Sequence, residues 1–198
     1  ISRVDNEMIR NISFLILFLC LISCDRNYIK DYKIEGLGIG DSLLDKHTKV
    51  DILKYQKNYY QNSNYKHSAF FAKKGSRYDQ YGVTYEKNDN KFIIKEIAGY
   101  ILYKKNFHKC NSKQKEISKE ISQVLNITFT NSTLTDDQST WISNFKKFKD
   151  GSYISIQCND WNQKTEDELG WVDNLQVTIV SKDFSEFLGN RTKNKLKN

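Results

Sequence analysis

The chain of 198 residues contains no proline, only nine glycines, three histidines and one methionine. Arginine is scarce: Arg3, Arg10, Arg26, Arg77 and Arg191 are the only five, so lysine supplies nearly all of the 31 basic residues. Those 31 stand against 24 acids, a formal charge of +7. That balance alone would suit a nucleic-acid partner, but phosphate and base recognition favours arginine's planar fork. A proline-free chain rich in lysine and asparagine fits the codon bias of an AT-rich genome better, and no nucleic-acid partner is expected. His47, His67 and His108 lie in different segments without ligand spacing, so no metal or other cofactor is expected. No serine or cysteine sits in a nucleophile-elbow context. The alternating Gly36, Gly38 and Gly40 lack the lysine and hydroxyl residue that a phosphate loop needs, and predict a turn or close backbone packing. There is also no run of about 20 apolar residues, the length that spans a bilayer.

What is present starts with Ile12 to Ile22, an apolar run interrupted only by Ser13 and preceded by Arg10 and Asn11. Its length and basic flank are those of a signal-peptide core, with Met8 the expected start and residues 1–7 upstream of it. The run ends in Leu21-Ile22-Ser23-Cys24. Leucine three positions before a cysteine, with a small residue directly before it, resembles the lipobox of bacterial lipoproteins. That resemblance implies removal of residues 1–23, diacylglycerol on the Cys24 sulfur, and a partner in the membrane lipid. Cys20 is the rival, but the bulky Leu19 precedes it. In enteric-type bacteria an aspartate at the position of Asp25 tilts such proteins toward the inner membrane. The implied location is membrane-anchored and extracytoplasmic.

With Cys20 removed and Cys24 committed to lipid, Cys110 and Cys158 are the remaining thiols. Outside the cytoplasm such a pair tends to oxidise. A bridge would close a loop of about fifty residues and contribute roughly 4 kcal/mol in the chain-entropy model. Two free buried cysteines are the alternative.

The rest of the chain divides into a polar tether (24–33), one domain (34–190) and a basic tail (191–198). Composition is ordinary for a folded domain, with 38% hydrophobic and 13% aromatic residues. Asp41 is a plausible cap for a short helix carrying Leu43 and Leu44, and Thr48 begins a second capping pattern. This opening resembles small envelope lipoproteins of the outer-membrane assembly type, in which a glycine-serine turn leads into a helix, although the glycine-proline that closes that helix is missing. Strands are predicted at 67–73, 77–86 and 91–103, with Gly99 a possible bulge. Asn111 can cap a helix with Gln114 at the box position. Ile117, Ile121, Val124 and Leu125 form its apolar stripe. A polar loop (127–138) then precedes strands at 140–148, 152–160 and 171–180, with Asp150-Gly151 turning between the first two. A short helix holding Phe184, Phe187 and Leu188 closes the domain. Helix plus strands, occurring twice, predicts an α+β fold: an antiparallel sheet with helices packed on one face.

The densest functional-looking stretch is 158–174, where Asp160, Glu166, Asp167, Glu168 and Asp173 accompany Trp161 and Trp171. Its spacing matches no calcium loop. Asp160, Trp161, Trp171 and Asp173 are the candidate binding residues, because exposed tryptophans stack on sugar rings. The expected reading is nevertheless the structural one, a solvated hairpin loop flanked by two core tryptophans at strand edges, with binding as the alternative. Trp171 shares parity with Leu175, Val177 and Ile179 and is expected to face inward. Parity from Cys158 puts Trp161 on the opposite face unless the strand ends or bulges at Asn159. "C-x-D-W … W-x-D-N-L" resembles the ending of uncharacterised secreted proteins of AT-rich bacteria and implies no activity. The functional expectation is an anchored interaction or binding module of the cell envelope, with an envelope protein as one possible partner. The alternative is an anchored hydrolase, since acidic loops can supply paired carboxylates.

Overall fold

The computed structural model describes residues 28–103 and 106–195. Cys24 and the apolar run before it lie outside the described residues. Among the described residues no helix is long and apolar enough to cross a membrane.

The chain forms an α+β fold around one eight-stranded, wholly antiparallel sheet. Its elements in chain order are α1 (Lys49–Lys54), β1 (Gln56–Lys57), β2 (Tyr65–Phe71), β3 (Gln80–Glu86), β4 (Glu96–Leu102), α2 (Phe107–Leu125), β5 (Thr130–Thr135), β6 (Ser139–Lys147), β7 (Tyr153–Trp161), α3 (Gln163–Leu169), β8 (Asn174–Val180) and α4 (Lys182–Lys195). Spatial order is β1-β2-β3-β4-β8-β7-β6-β5. Two meanders of four strands, each preceded by a helix, therefore run inward from opposite edges and meet at the β4–β8 pair. That order and direction are those of an approximate two-fold axis perpendicular to the sheet, and the helix-plus-strands layout does occur twice.

Period-two alternation decides the two faces. Val83, Ile97, Ile179 and Ile154 lie opposite one another across four neighbouring strands, as do Val177 with Ile156 and Leu175 with Cys158. All are buried, and Ile52 of α1 and Ile117, Ile121 and Leu125 of α2 join them in one core. The disulfide between Cys110 and Cys158, with Cα atoms 5.9 Å apart, ties the first turn of α2 to β7. Gln114 is buried against the same strands, its Nε2 donating to the carbonyls of Ile142 and Ile156 at 2.6 and 2.8 Å.

Several local expectations shift. Asn106, not Asn111, caps α2, its side chain accepting from Lys109 N, so Gln114 is free to serve the sheet. Ser42 rather than Asp41 caps the turn at Leu43–Asp45; Asp41 instead accepts from Gly38 N and Lys33 Nζ. Gly36 and Gly40 have φ of +80° and +89°, turns that suit glycine, while Gly38 packs tightly on the Tyr32 carbonyl. Gly99 is no bulge: it pairs in register with Tyr81 and Val177, and the Tyr78 ring occupies the space of a side chain. Residues 28–33 do not behave as tether, because Ile29 is 1% exposed and belongs to the core. The "polar loop" at 127–138 contains β5, an edge strand whose side chains are all exposed. The acidic stretch contains α3, capped by Asn162 and ended by left-handed Gly170.

The other face of the sheet takes the alternate residues. Its lower end is covered by α4, whose Phe184 and Phe187 pack edge-on or tilted against Tyr65 at centroid distances of 4.7 and 4.8 Å. Tyr65 has the parity of His67 and Ala69, so α4 lies against the face opposite α1 and α2. Among the described residues nothing covers the upper end of that face.

Candidate functional site

Three rows of paired residues make the open face. Nearest the top, Leu102 pairs with Asn174, and Asn174 with Asn159, whose next neighbour is Trp141. Below lie Phe71, Gln80, Tyr100, Gln176, Gln157 and Ser143, one from each of six adjacent strands. The third row begins with the small residues Ala69, Gly82 and Ala98. Small side chains here lower the floor of the sheet between taller rows. The His67 ring leans over Gly82, where a Cβ would come within 2.5 Å of its Nε2.

The result is a groove of about 430 Å³. Tyr59 and His67 stand at one end, Trp161, Gly170, Trp171 and Val172 at the other, and Ala69, Gln80, Tyr100, Leu102, Asn159, Asn174 and Gln176 between them. A broader depression of about 740 Å³ shares Gln80 and Leu102 and extends the groove toward Phe71, Asp79 and Lys109. From β7 to β2 the trough crosses four strand spacings, about 19 Å.

The tryptophans form a cluster at the β7 end. Trp161 meets Trp171 with ring centroids 4.4 Å apart and Trp141 at 6.4 Å, both edge to face. Trp161 takes the opposite-face parity expected for it. Trp171 does not face inward: β8 begins only at Asn174, so parity counted from Leu175 does not reach it, and it is 44% exposed. Asp173 is the buried member of the quartet, 3% exposed, accepting from Trp161 N at 2.9 Å. It fixes the β7 end against the start of β8 rather than facing the groove. Asp160 is half-buried, and burial followed by the Asp173 charge raises its carboxyl above the usual range. It lines a small separate recess with Asp136 and Thr140. Of the four candidates, the structure brings Trp161 and Trp171 together in the groove and puts Asp160 and Asp173 behind them.

Because Trp171 is 44% exposed, its truncation removes only part of the buried surface that a core tryptophan would lose. Trp171→Ala should lower stability by about 1–2 kcal/mol, roughly 2–8 °C in the thermal midpoint. A drop of the size seen for core tryptophans, about 3–5 kcal/mol, would mean that the ring is packed inside.

The amides between the aromatic ends were not anticipated. Ser143 Oγ donates to Gln157 Oε1, Gln157 Nε2 to Asn159 Oδ1, Asn159 Nδ2 to Asn174 Oδ1, and Asn174 Nδ2 to the Val172 carbonyl. This directional chain crosses three strands and fixes which end of each amide carries oxygen. Each linked amide retains donor and acceptor capacity. Singly, these residues are ordinary polar positions on strands; only the register aligns them.

Under the groove, His67 Nδ1 lies 3.0 Å from Thr84 Oγ1, and Thr84 Oγ1 donates to Glu96 Oε2. Tyr60 O–H donates to the same oxygen. Burial lowers the His67 pKa to about 4, so its imidazole is neutral near pH 7. Burial pushes the Glu96 carboxyl up, against the hydrogen bonds from Thr84 and Tyr60. Among the described residues no three His, Cys, Asp or Glu side chains are grouped as metal ligands. No protein-family model matches the chain, and no similar protein was found among curated proteins or solved structures.

Proposed function

We propose that this chain is a lipid-anchored binding module of the cell envelope, and that its ligand site is the open face of the sheet. One observation carries the reading: the groove between Tyr59 and Trp171 presents aromatic rings and oriented amides to solvent on a rigid sheet. Sites of this kind are concave, of about 300–1,000 Å³, and combine aromatic walls with a few fixed polar groups. The anchor reading rests on the lipobox. Two or three acyl chains on Cys24, at about 0.8 kcal/mol per buried methylene, would hold the module at the membrane. Cys24→Ala should abolish labelling by a palmitate analogue, and Cys20→Ala should not; labelling that survives Cys24→Ala would remove the anchor from the account.

The binding face is tested by photo-crosslinking in cells. A photoreactive phenylalanine analogue at Tyr59 should yield a discrete adduct that Trp171→Ala abolishes. The same analogue at Lys119, exposed on α2, should yield none. Adducts from position 119 alone would place the binding surface on the helical side.

A further inference from the structure

We infer that the groove binds a neutral oligosaccharide, with sugar rings stacked on Trp171 and Tyr59 and their hydroxyls held by the amides between. This rests on the reading of the open face as the ligand site. It adds the chemical class of the ligand.

Although the whole chain is strongly basic, no lysine, arginine, aspartate or glutamate among the described residues lines the groove itself. Its one titratable base, His67, is uncharged near pH 7 because it is buried. Burial also holds the Tyr100 phenol in its neutral form, with the Glu96 charge adding to the effect. Among the described residues the extension toward Phe71 carries one charge of each sign, and its carboxylate, Asp79, already accepts from Leu102 N. Within the groove itself an anionic ligand would find no lysine or arginine and a cationic one no carboxylate, and in the extension Lys109 is accompanied by Asp79.

Trp171 is 44% exposed and Tyr59 is 59% exposed, at opposite ends of the groove. Such rings offer a flat apolar face with a polar edge. Sugars are among the few neutral ligands that present apolar C–H faces and a rim of hydroxyls on one rigid ring. Each hydroxyl both donates and accepts, as does each amide side chain. Asn159 and Asn174 are already oriented by their mutual hydrogen bond, and Gln176 by its bond to Thr178 Oγ1, so little ordering is required on binding. A peptide in extended form would instead add to an unpaired strand edge, and the groove runs across β3, β4, β8 and β7, each paired on both sides, reaching at its far end β2, which pairs with β1 only at His67 and Ser68. The trough's length of about 19 Å suits an oligomer rather than a single sugar.

The test uses the full chain on an array of neutral glycans, followed by titration with the best hexasaccharide, monitored by tryptophan fluorescence. Heparin hexasaccharide and a library of extended peptides serve as probes of other chemistry. Saturable binding of a neutral glycan is expected. Trp171→Ala and Tyr59→Ala should each weaken it at least tenfold, Trp171→Tyr should restore much of it, and Lys119→Ala should leave it unchanged. No neutral glycan bound at millimolar concentration overturns the inference, as does binding that is indifferent to Trp171 and Tyr59. If peptides bind in a Trp171-dependent manner and glycans do not, the ligand class is wrong and the binding face survives. If heparin alone binds, insensitive to both aromatic variants, the ligand class and the face both fail.

Discussion

Replacing Cys110 and Cys158 together by alanine should lower stability by about 4 kcal/mol. The bond spans 48 positions, so in the chain-entropy model its loss releases a long loop in the unfolded chain. For a domain of this size each kcal/mol moves the midpoint by roughly 2–4 °C, so a fall of roughly 8–16 °C is expected. The position of the bond makes the effect local as well. It joins the first turn of α2 to the inner face of β7 within the core, and both cysteines are fully buried. Without it, α2 is held mainly by Ile117, Ile121, Leu125 and the two Gln114 hydrogen bonds. Thermal unfolding of the double variant, beside the parent with and without reductant, measures this. A shift below about 2 °C, under about 1 kcal/mol, would show that the unfolded chain is not constrained by the bridge.

The second large effect is pH-dependent and emerges in the Glu96→Gln protein. Burial alone lowers the His67 pKa from 6.5 to about 4. Between those values the unfolded chain holds a proton that the folded chain rejects, so stability falls as pH falls. The span corresponds to about 3 kcal/mol, lost progressively between pH 6.5 and 4. Glu96 acts with the opposite sign. Its folded pKa is raised above the ordinary 4.5, so the folded state binds the proton more tightly and stability rises as pH falls through the folded value toward 4.5. In the parent the two effects oppose each other across their shared window. The amide that replaces the carboxylate can still accept from Thr84 and Tyr60 but does not titrate, which leaves the His67 slope uncovered. Denaturant unfolding of Glu96→Gln at several pH values should show the acid loss. His67→Gln should show instead a gain in stability on acidification below the folded Glu96 pKa. A flat profile for Glu96→Gln would mean that His67 is hydrated in the folded protein.

Much of this architecture is legible in the residues. Ile154-Ile156-Cys158 and Leu175-Val177-Ile179 alternate so cleanly that period alone puts β7 and β8 in the core, and the α2 stripe is as clear. Legibility fails where packing or register takes over. Thr130–Thr135 has no apolar face, since an edge strand paired only with β6 can expose every side chain. The helix at Gln163–Leu169 does carry a signal, Asn162 as cap and Gly170 as stop, overshadowed by its run of acids. Trp171 is misplaced when strand parity is extended three residues beyond where β8 begins. Trp161 and Trp171 stand out as candidates because aromatic side chains beside acids are chemically conspicuous. Tyr59, Tyr100, Gln80, Asn174 and Gln176 do not, because the groove exists only once five strands are set side by side in one register.

Hydroxyl-radical footprinting of the aromatic side chains, on the purified full chain and on the protein in intact cells, reads occupancy of the open face directly. Tyr59 and Trp171 are exposed on the open face, and Tyr55, 37% exposed and packed against Phe70 on the helical side, is the internal control. All three should oxidise in the purified protein. In cells Tyr59 and Trp171 should be protected severalfold while Tyr55 is not. Equal oxidation of Tyr59 and Trp171 in both settings, or protection of Tyr55 instead, would contradict a ligand site on the open face of the sheet.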